Sequence, residues 1–164
     1  MEANDPFAFR SFGHNCLREG NFDDGMKYAN QAAEMGDIEA HFLLSRFYEG
    51  GKGVEADMKK ANYHLEEASI GGHPTARFNL GLMDARRGRY DRATKHFIIA
   101  ANQGFDAAVQ QLKEGYKEGH VSKVDFGEAL RAFQRAVDAT KSPQREEAER
   151  NLDSLGVRSM HVTK

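Results

Sequence analysis

The chain has one cysteine, three prolines and no tryptophan in 164 residues, and each scarcity excludes something. A lone thiol, Cys16, cannot close an internal disulfide or share a thiolate metal site with a second cysteine. No N-terminal apolar run of signal-peptide length is present, so a reducing, cytoplasmic compartment is the expectation. The longest uninterrupted apolar run, Phe97 to Ala101, falls far below the roughly 20 residues that a membrane span needs, and no membrane partner is expected. An excess of one charge is missing too. Lys plus Arg number 23 against 25 Asp plus Glu, a formal charge of -2, so no global field draws in nucleic acid or an anionic surface. Partners must be recognised by local surface.

What is there is repetition. The stretch from Gly36 to Gly72 carries Ala40, Leu44, Ser45, Tyr48, Gly51, Gly53, Val54, Asp57, Ala61, Leu65 and Ala68, with small and apolar residues every three or four positions on either side of a glycine-rich break. That spacing predicts two amphipathic helices joined by a tight loop. Slid by 68 positions the sequence matches itself: Ala8, Gly13, Gly20, Ala32, Ala33 and Gly36 fall on Ala76, Gly81, Gly88, Ala100, Ala101 and Gly104, while Ala40, Leu44, Tyr48, Asp57, Ala61 and Ala68 fall on Ala108, Leu112, Tyr116, Asp125, Ala129 and Ala136. Gly36, Gly72 and Gly104 are equivalent, so the 68 splits into a unit of 36 and one of 32. The prediction is all-α: four helical hairpins over residues 6–36, 37–72, 73–104 and 105–140, forming one repeat domain.

Helix signals refine the units. Asp5-Pro6 and His73-Pro74 open the first helices of units one and three. Asp57 caps the second helix of unit two, and Asp125-Phe-Gly-Glu128 has capping-box spacing in unit four. Ser142-Pro143 signals a ninth helix over 143–155, ended by Gly156, whose polar face serves as a cap for the last hairpin. Residues 1–4 and 157–164 carry no pattern and are expected to fray.

The spacing Ala-x3-Leu-[Ser/Gly]-x2-Tyr, Gly-x-Gly-Val-x2-Asp, Lys-Ala, Ala-x3-Gly resembles the Sel-one-like repeat, a relative of the tetratricopeptide repeat with a longer interhelical loop. Units two and four are similar to the long-loop form, units one and three to the plain form, over residues 6–140. Departures are Lys113 at a small-residue position, Cys16 and Asp84 in the tyrosine slot, and Val121-Ser122 in place of Gly-Val in the fourth loop. The resemblance implies a right-handed α-solenoid whose first helices line a concave groove. It also implies an adaptor or scaffold role in protein complexes, including quality-control and ubiquitin-ligase assemblies. Some secreted, cysteine-rich members have been linked to β-lactam hydrolysis; this chain lacks their disulfide frame.

No catalytic constellation, cofactor site or metal site is expected. Gly50-Gly51-Lys52-Gly53 lacks the Ser or Thr after Lys and the preceding strand that a phosphate-binding P-loop requires. The seven histidines include no His-x3-His pair, and His64 and His96 occupy one repeat slot. Glu66-Glu67 and Glu146-Glu147 are adjacent on helices and diverge. Cys16 reads as core filler, as do Phe7, Phe9, Phe12, Phe97 and Phe133. The cluster Arg86, Arg87, Arg89 and Arg92, with Lys95 and His96 beyond, supports either helix-dipole compensation or binding of an acidic or phosphate-bearing ligand. A nucleic-acid-binding solenoid using that cluster is the alternative function, and a repeat enzyme a more remote one.

In a stacked array, positions +2, +6 and +9 or +10 from the first-helix alanine face the groove. They are Arg10 and His14, Phe42 and Arg46, Phe78, Leu82 and Arg86, then Gln110 and Glu114. The expectation is a monomer that holds a partner peptide or helix across units two and three. Phe42 and Phe78 would then be apolar anchors, and Arg46 and Arg86 would pair with acidic groups. Filling of gaps between first helices is the other role open to the two phenylalanines.

Overall fold

The structure is a computed structural model that describes residues 5–51 and 54–154, with side chains described for 5–51 and 54–140. Lys52, Gly53, the chain ends and the side chains of Glu146 and Glu147 lie outside the described residues. The helices are α1 (Pro6–Arg18), α2 (Phe22–Glu34), α3 (Ile38–Gly50), α4 (Met58–Ile70), α5 (Pro74–Arg86), α6 (Tyr90–Asn102), α7 (Asp106–Lys117) and α8 (Lys123–Ser154), with no strand among the described residues. The helices pair as α1 on α2, α3 on α4 and α5 on α6, with α2·α3, α4·α5 and α6·α7 joining one hairpin to the next, and α8 packs on both α6 and α7. This nearest-neighbour pattern defines a solenoid of helical repeats.

Punctuation follows from local chemistry. Asp37 accepts the Ala40 N–H at 2.8 Å, and Asp57 accepts those of Lys59 and Lys60 at 2.9 and 3.1 Å. His73, at the position of Asp37, does the same with Nδ1, accepting the Ala76 N–H at 3.2 Å. At the end of α4, Gly72 takes φ 96°, its N–H donates to the Ser69 carbonyl, and the His73 N–H donates to that of Ala68. This is a left-handed cap that only glycine adopts without strain. Gly36 and Gly104 repeat it after α2 and α6.

Thr140 stands where the fourth such glycine would be, and it explains a difference from the sequence reading. No separate ninth helix begins at Pro143; α8 runs unbroken from Lys123 to Ser154. Lacking a residue suited to positive φ, the helix does not stop. The Thr140 hydroxyl is shared between the carbonyls of Ala136 and Val137, and a proline at position 143 has no N–H to give the Ala139 carbonyl. The start of α8 is corrected as well. Ser122, not Asp125, caps it: Ser122 Oγ accepts the Asp125 N–H at 3.1 Å and donates to the Asp125 carboxylate at 2.7 Å.

The interior is built from small residues. Ala29, Ala32, Ala40, Ala68, Ala76, Ala100, Ala101 and Ala108 are fully buried, and the largest side chains buried as completely are Leu44 and Leu112. Alanines at the crossings let helices approach closely, which keeps the first-helix side chains at +2 and +6 on one surface. Cys16 and Phe97 are core, as expected, but Phe7 and Phe12 are exposed on α1, where no helix packs from the N-terminal side among the described residues.

Candidate functional site: a groove along the first helices

Three adjoining hollows run along α1, α3 and α5. The first, of about 470 Å³, lies between Arg10, His14, Glu39, Phe42 and Arg46. The second, about 450 Å³, is framed by His14, Leu17, Arg18, Leu43, Arg46 and Glu49. The third, about 360 Å³, is bounded by Arg46, Glu49, Asn62, Leu82, Arg86 and Arg87. Arg46 borders all three. It sits one turn beyond Phe42 on α3, is solvent-exposed, and joins the hollows into one trough.

Six residues expected to face the groove, Arg10, His14, Phe42, Arg46, Leu82 and Arg86, line these hollows. Phe78 takes the other role: its ring meets Phe97 at 5.6 Å and Phe105 at 5.2 Å between centroids, sealing the junction of units three and four. Phe42 combines both, its ring meeting the buried His73 ring at 4.2 Å in a tilted arrangement while bordering the first hollow. Gln110 and Glu114 lie exposed on α7, Glu114 bonded to Lys117 at 3.0 Å, and border none of the three hollows. Arg10 is partly engaged, its Nε 3.5 Å from Asp37. Arg46 and Arg86 have no ion pair among the described residues.

The basic cluster divides. Arg89 donates through Nε, at 2.9 Å, and Nη2 to Asp84 Oδ1, while Arg92 Nε lies 3.2 Å and His96 Nε2 3.7 Å from Oδ2. Asp84 is buried in the tyrosine slot of unit three, and a buried carboxylate requires such partners. Arg89 and Arg92 are therefore engaged in folding, and only Arg86 and Arg87 reach the groove. This role was missed in the sequence, although Asp84 in an aromatic slot, facing Arg92 and His96 one turn apart, carried the signal.

Unit two fills the equivalent slot with rings. His64 stacks on Tyr48 at 5.7 Å, and its Nδ1 is 3.0 Å from that of His41, a bond that needs at least one neutral imidazole. Burial first, then the charges of His41 and Lys60, lower the His64 pKa from 6.5 to about 4. Burial also lowers that of His96, with Arg77 adding to the effect. His73 is held by its own pair of contacts, Ala76 N–H on Nδ1 and Glu39 Oε1 3.3 Å from Nε2. Among the described residues no group of three or more His, Cys, Asp or Glu could hold a metal ion, and no helix is long and apolar enough to cross a membrane.

This helical-repeat solenoid is the fold that the comparisons with known proteins also give. The Sel1 repeat model matches residues 10–37, 38–73 and 74–105, more than half of the chain, and the chain belongs to that family. Proteins of the family are generally protein-interaction scaffolds. Chitin synthase regulatory factor 4 of Schizosaccharomyces pombe is 33% identical over 86 residues, which cover 52% of this chain and 14% of that protein's length. Among solved structures, a protective antigen of uropathogenic Escherichia coli strains displaying an SLR fold superposes with a TM-score of 0.66 at 28% identity, covering 84% of this chain and 31% of that one. A Sel1 repeat protein from Oxalobacter formigenes gives 0.64 at 25% identity, over 79% of this chain and 55% of that one.

Proposed function

We propose that this chain is an adaptor that holds a segment of a partner protein along the trough on α1, α3 and α5. The observation that carries the reading is the joining of three hollows at one exposed arginine, Arg46. Such a trough offers guanidinium groups at Arg46, Arg86 and Arg87 and apolar surface at Phe42, Leu43 and Leu82, which suits an amphipathic segment bearing carboxylates. The trough runs over units one to three, with Leu82 in place of Phe78 as the second apolar contact. Loss of Arg89 and Arg92 to Asp84 weighs against the nucleic-acid alternative, because it breaks the basic run. Membership of a quality-control, ubiquitin-ligase or other regulatory assembly is a matter of which partner is captured.

Arg46→Glu combined with Arg86→Glu tests the reading. Both side chains are exposed, so the melting temperature is expected to hold while proteins captured by the unaltered chain are lost. Undiminished capture by the double variant would overturn it.

A further inference from the structure

Each internal junction sets the second helix of one unit against the first helix of the next. There the first-helix alanines Ala40, Ala76 and Ala108 are fully buried, as are Leu44 and Leu112 four residues on. In α1 the same positions are open: Ala8 is only half-buried, and Phe12 is 43% exposed. At the far end the second-helix positions show the reverse side of the same opening. Ala68 and Ala100 are fully buried, yet Ala136 of α8 is not, nor is Val137, which replaces Ser69 and Ala101. Leu130 is 39% exposed where Met26 and Thr94 are buried. An end-unit face that meets water is ordinarily polar; here one end presents phenylalanine and alanine, the other leucine, alanine and valine.

We infer that two copies of this chain join head to tail, α8 of one seated on α1 of the next, continuing the solenoid. The occupant follows from the repeat itself: the face that α1 leaves open is the face that α2, α4 and α6 cover on α3, α5 and α7, and α8 is the fourth helix of that type. The association is heterologous and leaves one open face at each end of the pair, so it extends with concentration and does not close. It is the alternative to the monomer expected from sequence. It is independent of the trough, since Arg46 and Arg86 border neither face.

Sedimentation velocity on the full chain from micromolar to millimolar concentration tests it. The expected result is a weight-average mass that rises past the dimer. Phe12→Glu and Leu130→Glu each block one end, and each alone is expected to stay monomeric with helical circular dichroism intact; should Phe12→Glu unfold, Ala8→Glu blocks the same end. Mixed in equal amounts, the two variants retain one good face each and are expected to form a dimer that goes no further, while Arg46→Glu with Arg86→Glu associates as the unaltered chain does. A chain that stays monomeric throughout would overturn the inference. So would association abolished at only one of the two ends, or a mixture that forms no dimer.

Discussion

Units two and three fill one slot in two ways, and the difference shows what a repeat constrains. In unit two the slot holds His41, Tyr48, Lys60 and His64, an imidazole pair beneath a tyrosine ring. In unit three the equivalent residues are Arg77, Asp84, Arg92 and His96, a buried carboxylate held by Arg92 with the His96 imidazole alongside. The buried first-helix alanines and the closing glycine caps at Gly72 and Gly104 are the same in both, although the loop between the paired helices is longer in unit two. Backbone spacing is set by the small residues; the slot has only to be filled and electrically satisfied. That separation leaves first-helix side chains free to vary toward the trough.

The largest expected effect comes from leaving the unit-three carboxylate alone. Asp84 is 6% exposed, whereas its partners Arg89 and Arg92 are 40% and 66% exposed, so the cost of rupture is unequal. Arg89→Ala with Arg92→Ala strands a buried charge and is expected to cost about 3–5 kcal/mol in urea unfolding. Asp84→Tyr removes the charge and installs the ring that unit two uses at Tyr48; the arginines can turn to water, and the loss is expected to be smaller, about 1–2 kcal/mol. Equal losses from the two changes would show that the carboxylate is not the element at risk.

A pH titration separates the slots next. The folded pKa of His64 is depressed from 6.5 to about 4, so the neutral ring contributes stability that is complete above pH 6.5 and is lost as pH falls toward 4. His96 is depressed too and acts in the same direction. Urea midpoints are expected to fall between pH 7 and pH 4.5, with a shallower fall in His64→Phe; an unchanged slope in that variant would remove His64 from the account. The smallest effect is reserved for Lys113, which replaces the small residue of the slot occupied by Ser45 and Gly81. Its side chain is exposed, so Lys113→Ala should shift stability by no more than about 0.5 kcal/mol.

Most of the fold was legible because glycines, caps and alanines act locally. The first helices expected to open at Asp5-Pro6 and His73-Pro74 begin at Pro6 and Pro74. The continuation of α8 was not legible from Ser142-Pro143 alone, because the deciding residue was an absence, Thr140 where units one to three have glycine. In the candidate site, helical spacing brought Arg10, His14, Phe42, Arg46, Leu82 and Arg86 onto one surface. Phe78 differs because its side chain meets Phe97 and Phe105 across a junction, and spacing within one helix does not register what the neighbouring unit supplies. The same limit hid Asp84: its partners lie on the next helix.

A photo-reactive cross-linker carried at residue 82, in the trough, and in a second preparation at residue 70, an exposed position on the second helix of unit two, addresses the central claim directly. With a captured partner present, the account predicts an adduct from position 82 and none from position 70. An adduct from position 70 with none from position 82 would contradict it and move the binding surface to the second helices.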